Sequence, residues 1–393
     1  MNKLILNTGV QIFINENWNT DIMSVLLKKP LFEDISQKEL AIQLEAKKKC
    51  REKLPTWFRT PNIYYPPKLH IEQTSSEQTA SYKARVIQGK KLLDLTGGFG
   101  VDSSFFSSHF ESVFHCEMDS DLSQIAEHNF KVLDRKNVTC IPGDGLEFLK
   151  STNEKFDWIF VDPSRRNDKK GKVFFLEDCL PNLPRHLPLL FEKATQILVK
   201  ASPLLDVKHG IQELKSVKEI HVVAVQNEMK ELLYVLEHGY TGEVEIKTVN
   251  LFKDQQIGFN FNLQDEQRTT AQLGKPANYL YEPNVAILKS GGFKSIGKSI
   301  GALKLHQHSH LYTSEKLLSF PGRTFKIEEV LSYSKRDMKP LSNSKANVST
   351  RNFPITVAEL RKKHKIKDGG EVYLFFTTDI NDELRVIVTK KCS

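Results

Sequence analysis

Long apolar runs are missing from this 393-residue chain. No stretch approaches the roughly 18 residues that a membrane-spanning helix needs, and Met1 to Asn19 lacks the basic start and apolar stretch of a secretory signal. Cysteine is scarce. Its five copies (Cys50, Cys116, Cys140, Cys179 and Cys392) are scattered and form no CxxC pair, which argues against a zinc ribbon and against a disulfide framework. Glycine (20) and proline (16) are too few for a collagenous or low-complexity chain, and 39% hydrophobic residues are too many for global disorder. No internal repeat is present. A reduced, soluble, cytoplasmic protein of two or three domains is expected.

Charge is present but uneven. Ser290 to Ser393 holds 19 Lys/Arg against 10 Asp/Glu, whereas the preceding 289 residues hold 37 against 38. The whole net charge of +8 therefore arises in the C-terminal quarter. A concentrated basic module is the footprint of a polyanion binder, since each neutralised phosphate releases counterions. The plainer alternative is a solvated lysine-rich surface that aids solubility.

Residues 1 to 75 read as mostly helical. Ser36 with Glu39 forms a capping box ahead of the helix formers Gln37 to Lys53, and Pro55 stops that helix. The aromatic segments Trp57-Phe58 and Ile63-Tyr64-Tyr65-Pro66-Pro67 follow, the second kept extended by proline and suited to packing one region on another. From Lys90 onward, short apolar strands alternate with helices. Strands are expected at Leu92–Leu95, Val113–Cys116, Val138–Ile141, Trp158–Val161, Ile197–Val199, Ile220–Val225 and Val244–Leu251. Helices are expected at Val101–His109, Asp121–Leu133 and Glu228–Glu237. Such alternation argues for a mostly parallel, doubly wound α/β sheet. Residues 252 to 277 read as a polar connector. Beyond them, a basic helix (Val357–Lys365) precedes a hairpin of Glu371–Thr377 and Leu384–Thr389.

Four pieces fall in order at strand ends. Asp94-Leu95-Thr96-Gly97-Gly98-Phe99-Gly100-Val101-Asp102 is a glycine-rich turn between strand and helix, where backbone N–H groups can approach a ligand. Glu117, 23 residues past Asp94, ends the next strand and can accept from ribose hydroxyls. Gly143-Asp144-Gly145 offers a carboxylate to an exocyclic amine. Phe156 to Arg166, reading FDWIFVDPSRR, is a buried strand opening into a polar, rigid turn. Singly each piece is weak. Open α/β sheets bind ligands at the carboxyl ends of their strands, so the four converge on one crevice. A nicotinamide dinucleotide fits less well, because G-x-G-x-x-G would need a glycine where Ser103 stands.

These segments (DLTGGFGVD, EMD, GDG and FDWIFVDPSRR) resemble the motifs of class I S-adenosylmethionine-dependent methyltransferases, over about residues 75 to 250. Ser75 to Lys83 is similar to the lead-in of the RNA-modifying branch, and the C-terminal region resembles a THUMP-like domain. The resemblance implies an α/β fold: a Rossmann-like methyltransferase sheet over 76–255, a helical region over 1–75, and a small basic α+β THUMP-like module over 278–393. It implies S-adenosyl-L-methionine as cofactor and RNA, ribosomal or transfer, as partner, with no membrane and no metal. Asp94, Thr96, Gly97, Gly98 and Gly100 would hold its methionine end, Glu117 the ribose, Met118 the adenine face, and Asp144 with Gly145 the adenine edge.

Enzymes that methylate exocyclic base amines usually carry Asp/Asn-Pro-Pro followed by an aromatic. Here Asp162 and Pro163 are kept, while Ser164 and Arg165 replace the second proline and the aromatic. Asp162 and the Pro163 carbonyl can accept from an amine and aim its lone pair. With Ser164 they form the expected catalytic set. Arg165 and Arg166, together with Arg361, Lys362 and Lys363 of the basic module, are the expected substrate contacts, with a guanidinium plane as one source of base stacking. Two rivals stay open: a fold that keeps the cofactor but only binds nucleic acid, and a methyltransferase for protein or small molecules. His306, His308 and His310 alternate with other residues, which on a strand would set three imidazoles on one face. With no carboxylate or thiol beside them, an ordinary polar face is favoured over RNA or surface contact, and both over a metal site.

Overall fold

A computed structural model describes residues 1–165 and 175–392 of the protein. The chain divides into two compact units, Met1–Val217 with Leu233–Thr241, and Lys218–Leu232 with Gly242–Ser393. The first unit contains β1 (Gly89–Asp94), β2 (Phe110–Glu117), β3 (Val138–Pro142), β4 (Phe156–Val161), the short pair β5 (Ser164–Arg165) and β6 (Cys179–Leu180), and β7 (Ala194–Ala201). Its main strands lie parallel in the order β7-β4-β1-β2-β3. Leu92, Leu93, Ile159, Val161, Ile197 and Val199 are all fully buried. Strands covered by helices on both faces read as continuous apolar runs, which is why these were legible.

The N-terminal helical region belongs to this unit. The helix Gln37–Lys53 starts at Ser36 with both hydrogen bonds of the capping box formed. It ends at Leu54, and a short new helix, Pro55–Arg59, begins with proline at its first position, where a missing N–H costs nothing. The segment Ile63–Pro67 is gripped from two sides. Gln43 exchanges hydrogen bonds with the Tyr65 backbone at 2.6 and 2.9 Å, and Asn129 does the same with Tyr64 at 2.9 Å. An extended strip inside the protein has no ladder partner, and these amides satisfy its backbone. Trp57, Tyr64 and Tyr65 share one apolar cluster with Phe99 and Val101 of the glycine turn and with Leu122 and Ile125. The aromatic segments thus serve packing.

The second unit contains β8 (Val217–Val225, from Lys218 on), β10 (Glu245–Leu251) and β11 (Gln256–Asn262), with β8 parallel to β10 and β10 antiparallel to β11. Between them in sequence, β9 (Glu228–Glu237) contributes its first half to this unit and its second half to the other. Here two expectations are corrected. Glu228–Glu237, expected as a helix, is a strand, because Leu232 to Leu236 are buried on both faces and Gln226 and Asn227 take φ values of 50° and 61°. Positive φ at both central residues is the two-residue hairpin turn, and packing overrides the helix propensity of Glu, Met, Lys and Leu. Residues 252–277, expected as a connector, include β11 and the helix Leu263–Arg268. As an edge strand that is half exposed, β11 has little apolar pattern to betray it.

The unit also carries β12 (Tyr279–Pro283), β13 (Leu303–Lys304), β14 (Tyr312–Ser314), β15 (Gly322–Ser332), β16 (Asn347–Arg351), β17 (Val372–Thr378) and β18 (Leu384–Lys391). They form one sheet, β13-β14-β12-β15-β18-β17-β16. The expected hairpin is present as β17 and β18, and the basic helix spans Val357–His364. His306 to His310 is a turn between β13 and β14, not a strand, so the three imidazoles do not share a face. His306 is buried against Asp382 (3.0 Å), His310 stacks on Phe293, and His308 is exposed. Among the described residues, no group of three or more His, Cys, Asp or Glu side chains could hold a metal ion.

Candidate functional site

The carboxyl ends of β1, β2, β3, β4 and β7 bring the expected residues to one edge of the first unit. Asp94 ends β1 and is fully buried, accepting from Ser103 Oγ at 2.5 Å and from the Thr96 N–H at 3.2 Å. Burial pushes its carboxyl up to about 7. The Ser103 hydrogen bond pulls it down, and the nearby carboxylates of Asp102 and Asp162 push it up again. Position 103, where a dinucleotide fold would want glycine, thus holds a hydroxyl that fixes Asp94.

Two glycines of the turn are required by contact. A Cβ on Gly97 would lie 2.2 Å from the His115 imidazole, and one on Gly100 would lie 2.5 Å from the Phe130 ring. Gly98 is different. It sits at φ +57° with nothing within 4 Å of a built Cβ, so the turn's outer side is open. His115, wholly buried beneath Gly97, is pushed down to about 4 by desolvation, so a neutral imidazole supports the turn.

Glu117 ends β2 and ties the turn to the next strand. Its carboxylate accepts from the Gly98 N–H and the Asp119 N–H, each at 2.8 Å. Met118 beside it is 74% exposed, an unusual state for methionine that leaves its thioether free to cover a flat ligand. Asp144 is exposed and caps the helix Gly145–Ser151 through the Leu146 N–H at 2.8 Å. Gly145 is buried, and a Cβ there would meet the Leu95 carbonyl at 2.7 Å.

Asp162 lies one residue beyond β4. Its N–H donates to Thr96 Oγ1 at 2.7 Å, joining the fourth piece to the first. Its Oδ2 receives Lys200 Nζ at 2.5 Å. Pro163 is buried and Ser164 is exposed. The Arg165 backbone pairs with Cys179, and Arg166 lies outside the described residues.

Two functional candidates escaped the sequence. Lys200 follows the run Ile197-Leu198-Val199, and a lysine closing a buried strand next to the Asp-Pro strand was the available clue. The other is a buried cluster. Lys83 is 0% exposed, 3.3 Å from Asp102 Oδ1 and 3.1 Å from Ser75 Oγ, while Ser75 donates to Asp102 Oδ2 at 2.8 Å. It binds the lead-in segment to the first turn of the helix Val101–Phe106, which follows the glycine turn.

In the second unit the expected basic contacts are partly engaged. Arg361 pairs with Asp368 at 2.5 Å. Lys363 donates to Tyr333 Oη at 3.0 Å and lies over its ring. Lys362, Lys365 and Lys367 are exposed.

A parallel α/β sheet with a glycine turn after its first strand, an acidic residue ending its second and Asp-Pro ending its fourth defines the class I methyltransferase type. Residues 279–321 match a ferredoxin-like domain family and residues 322–391 a family described as THUMP domain-like. Over its whole length the chain is similar to a crystal structure from Porphyromonas gingivalis W83 whose name assigns it to the methyltransferases. The two are 34% identical, with a TM-score of 0.90 and coverage of 100% of this chain and 99% of that one. An uncharacterized RNA methyltransferase of Mycoplasma mobile is 34% identical over 77 residues, so the match spans 20% of this chain and only 21% of that relative. The chain belongs to the S-adenosylmethionine-dependent methyltransferases that carry a C-terminal THUMP-like domain.

Proposed function

We propose that the protein methylates RNA, at an exocyclic amine of a base, using S-adenosyl-L-methionine held at the carboxyl edge of the first unit. The observation that carries this reading is the junction of Asp162 with the glycine turn through Thr96. It joins the group that would orient an acceptor to the loop that would hold the methyl donor. The open outer side of Gly98, the Glu117 carboxylate, the exposed Met118 thioether and the exposed Asp144 carboxylate suit the chemistry of that cofactor. Bound there, it would supply an electrophilic methyl group on a sulfonium.

The chain's own part is orientation. A base amine is a poor nucleophile because its lone pair is delocalised into the ring. Hydrogen bonds from the amine to Asp162 and to the Pro163 carbonyl would turn that lone pair out of the ring. Proximity and alignment would then provide most of the rate. The exposed lysines Lys362, Lys365 and Lys367 would draw in the RNA through phosphates, leaving the choice of nucleotide to the first unit.

Glu117→Ala tests the cofactor assignment. It removes ribose acceptors and frees the Gly98 N–H. S-adenosylhomocysteine affinity measured by calorimetry should fall by about 1–3 kcal/mol, roughly five- to 150-fold. Equal affinity for variant and parent would rule Glu117 out of the cofactor site.

A further inference from the structure

We propose that Lys200 is a positioning residue for methyl transfer, acting through Asp162. This rests on the methyltransferase reading above, not on the choice of RNA as acceptor. The two residues are neighbours by construction. β4 and β7 are parallel with Val161 opposite Val199, so the next residue of each strand, Asp162 and Lys200, emerges side by side at the carboxyl edge. The lysine side chain is 13% exposed and the aspartate side chain 36%. An ordinary surface pair between two long, solvated chains contributes little, typically 0–1 kcal/mol. This one is anchored at the end of a buried strand, which fixes where the carboxylate sits.

What the pair does is hold the carboxylate. The Asp162 backbone is fixed by Thr96 Oγ1 and its Oδ2 by Lys200 Nζ, and its Oδ1 accepts no hydrogen bond from the described residues. One oxygen is therefore restrained, while the other, among the described residues, is open to an acceptor. Without the ammonium, the side chain regains its rotamers and the orientation that speeds transfer is lost. Lys200 also offsets charge. Asp94 and Asp102 already bring two carboxylates close to this edge, and of those two, among the described residues, only Asp102 is paired with a cation, Lys83.

The test uses the full chain and tritiated-methyl S-adenosylmethionine with an extract of cells lacking the enzyme, afterwards separated into RNA, protein and small-molecule fractions. Lys200→Met should lower turnover at saturation tenfold or more. The acceptor KM should change less than threefold and S-adenosylhomocysteine affinity less than twofold. Lys200→Arg, which keeps the charge, should recover at least a third of the parent rate. Should Lys200→Met not fold, Lys200→Gln compared with Lys200→Arg carries the same comparison. Turnover of the uncharged variant above half that of the parent overturns the proposal. So does an Arg variant as inactive as the uncharged one, or a parallel loss of cofactor affinity. Parent label in protein or small molecules instead of RNA retires the RNA reading, while the variant ratios on that acceptor still decide the role of Lys200. No parent label in any fraction overturns both.

Discussion

Asp162→Ala is expected to cut methyl transfer at saturating cofactor by tenfold or more while leaving S-adenosylhomocysteine affinity within about twofold. The expectation follows from where the side chain sits. It lies beyond the end of β4, where its carboxylate meets Lys200 and only its backbone N–H reaches Thr96, whereas Glu117, Met118 and Asp144 stand at or just past the ends of other strands, on the expected cofactor side. Removing a group in the proposed role of orienting the acceptor should leave ground-state cofactor binding intact and weaken only what is gained in the transition state. Asp162→Asn keeps an acceptor oxygen but loses the charge that meets Lys200, so its rate should fall between those of the parent and the alanine variant. Kinetics at saturating cofactor together with calorimetry separate the two effects. A drop in affinity with turnover unchanged would move Asp162 from the acceptor to the cofactor.

Lys83→Met should destabilise the first unit severely. Lys83 is fully buried and lies 3.3 Å from the nearly buried Asp102. Removing one member of a buried pair leaves the other charged and without compensation, at a cost of about 3–5 kcal/mol. Trp18, Trp57 and Trp158 are the three tryptophans of the chain and all lie in the first unit, so tryptophan fluorescence, excited selectively, follows that unit alone. Its urea midpoint should fall by roughly 1–2 M. Adding Asp102→Asn should restore part of the loss, since the stranded charge is then gone. An unchanged midpoint would mean that water reaches Asp102 and that the lead-in segment is not bound to the glycine turn by this pair.

The features legible in the sequence are those with a single physical cause. The strands at Leu92, Trp158 and Ile197 are apolar on both faces, and the capping box at Ser36 is a local exchange of two hydrogen bonds. Glycines at 97 and 100 announced a close approach, although what approaches Gly97 and Gly100 from inside the protein is His115 and Phe130. What stayed hidden depends on partners distant in sequence. β9 is written in helix-forming residues, and its hairpin turn, Gln226-Asn227, has no glycine to mark it. Lys200 is 38 residues from Asp162, and only the register of two parallel strands makes them meet. Lys83 stood within a recognised segment, yet its burial against Asp102 follows from the packing of two helices. The alternation of three histidines was a false pattern, because period two carries meaning only on a strand and the chain turns there.

The basic module shows a similar limit. Counting charge located it, but the count does not show that Arg361 is paired with Asp368 or that Lys363 leans on Tyr333. Within that run Lys362 is exposed, as are Lys365 and Lys367 just beyond it.

The most direct measurement is mass analysis of nucleosides from ribosomal and transfer RNA of cells lacking the gene. One base-methylated nucleoside should be lost or sharply reduced in a single RNA fraction, and restored by the parent gene but not by Asp162→Ala. Nucleoside profiles identical with and without the gene, alongside no transfer of label to that RNA by the purified chain, would contradict RNA base methylation as the function of this protein.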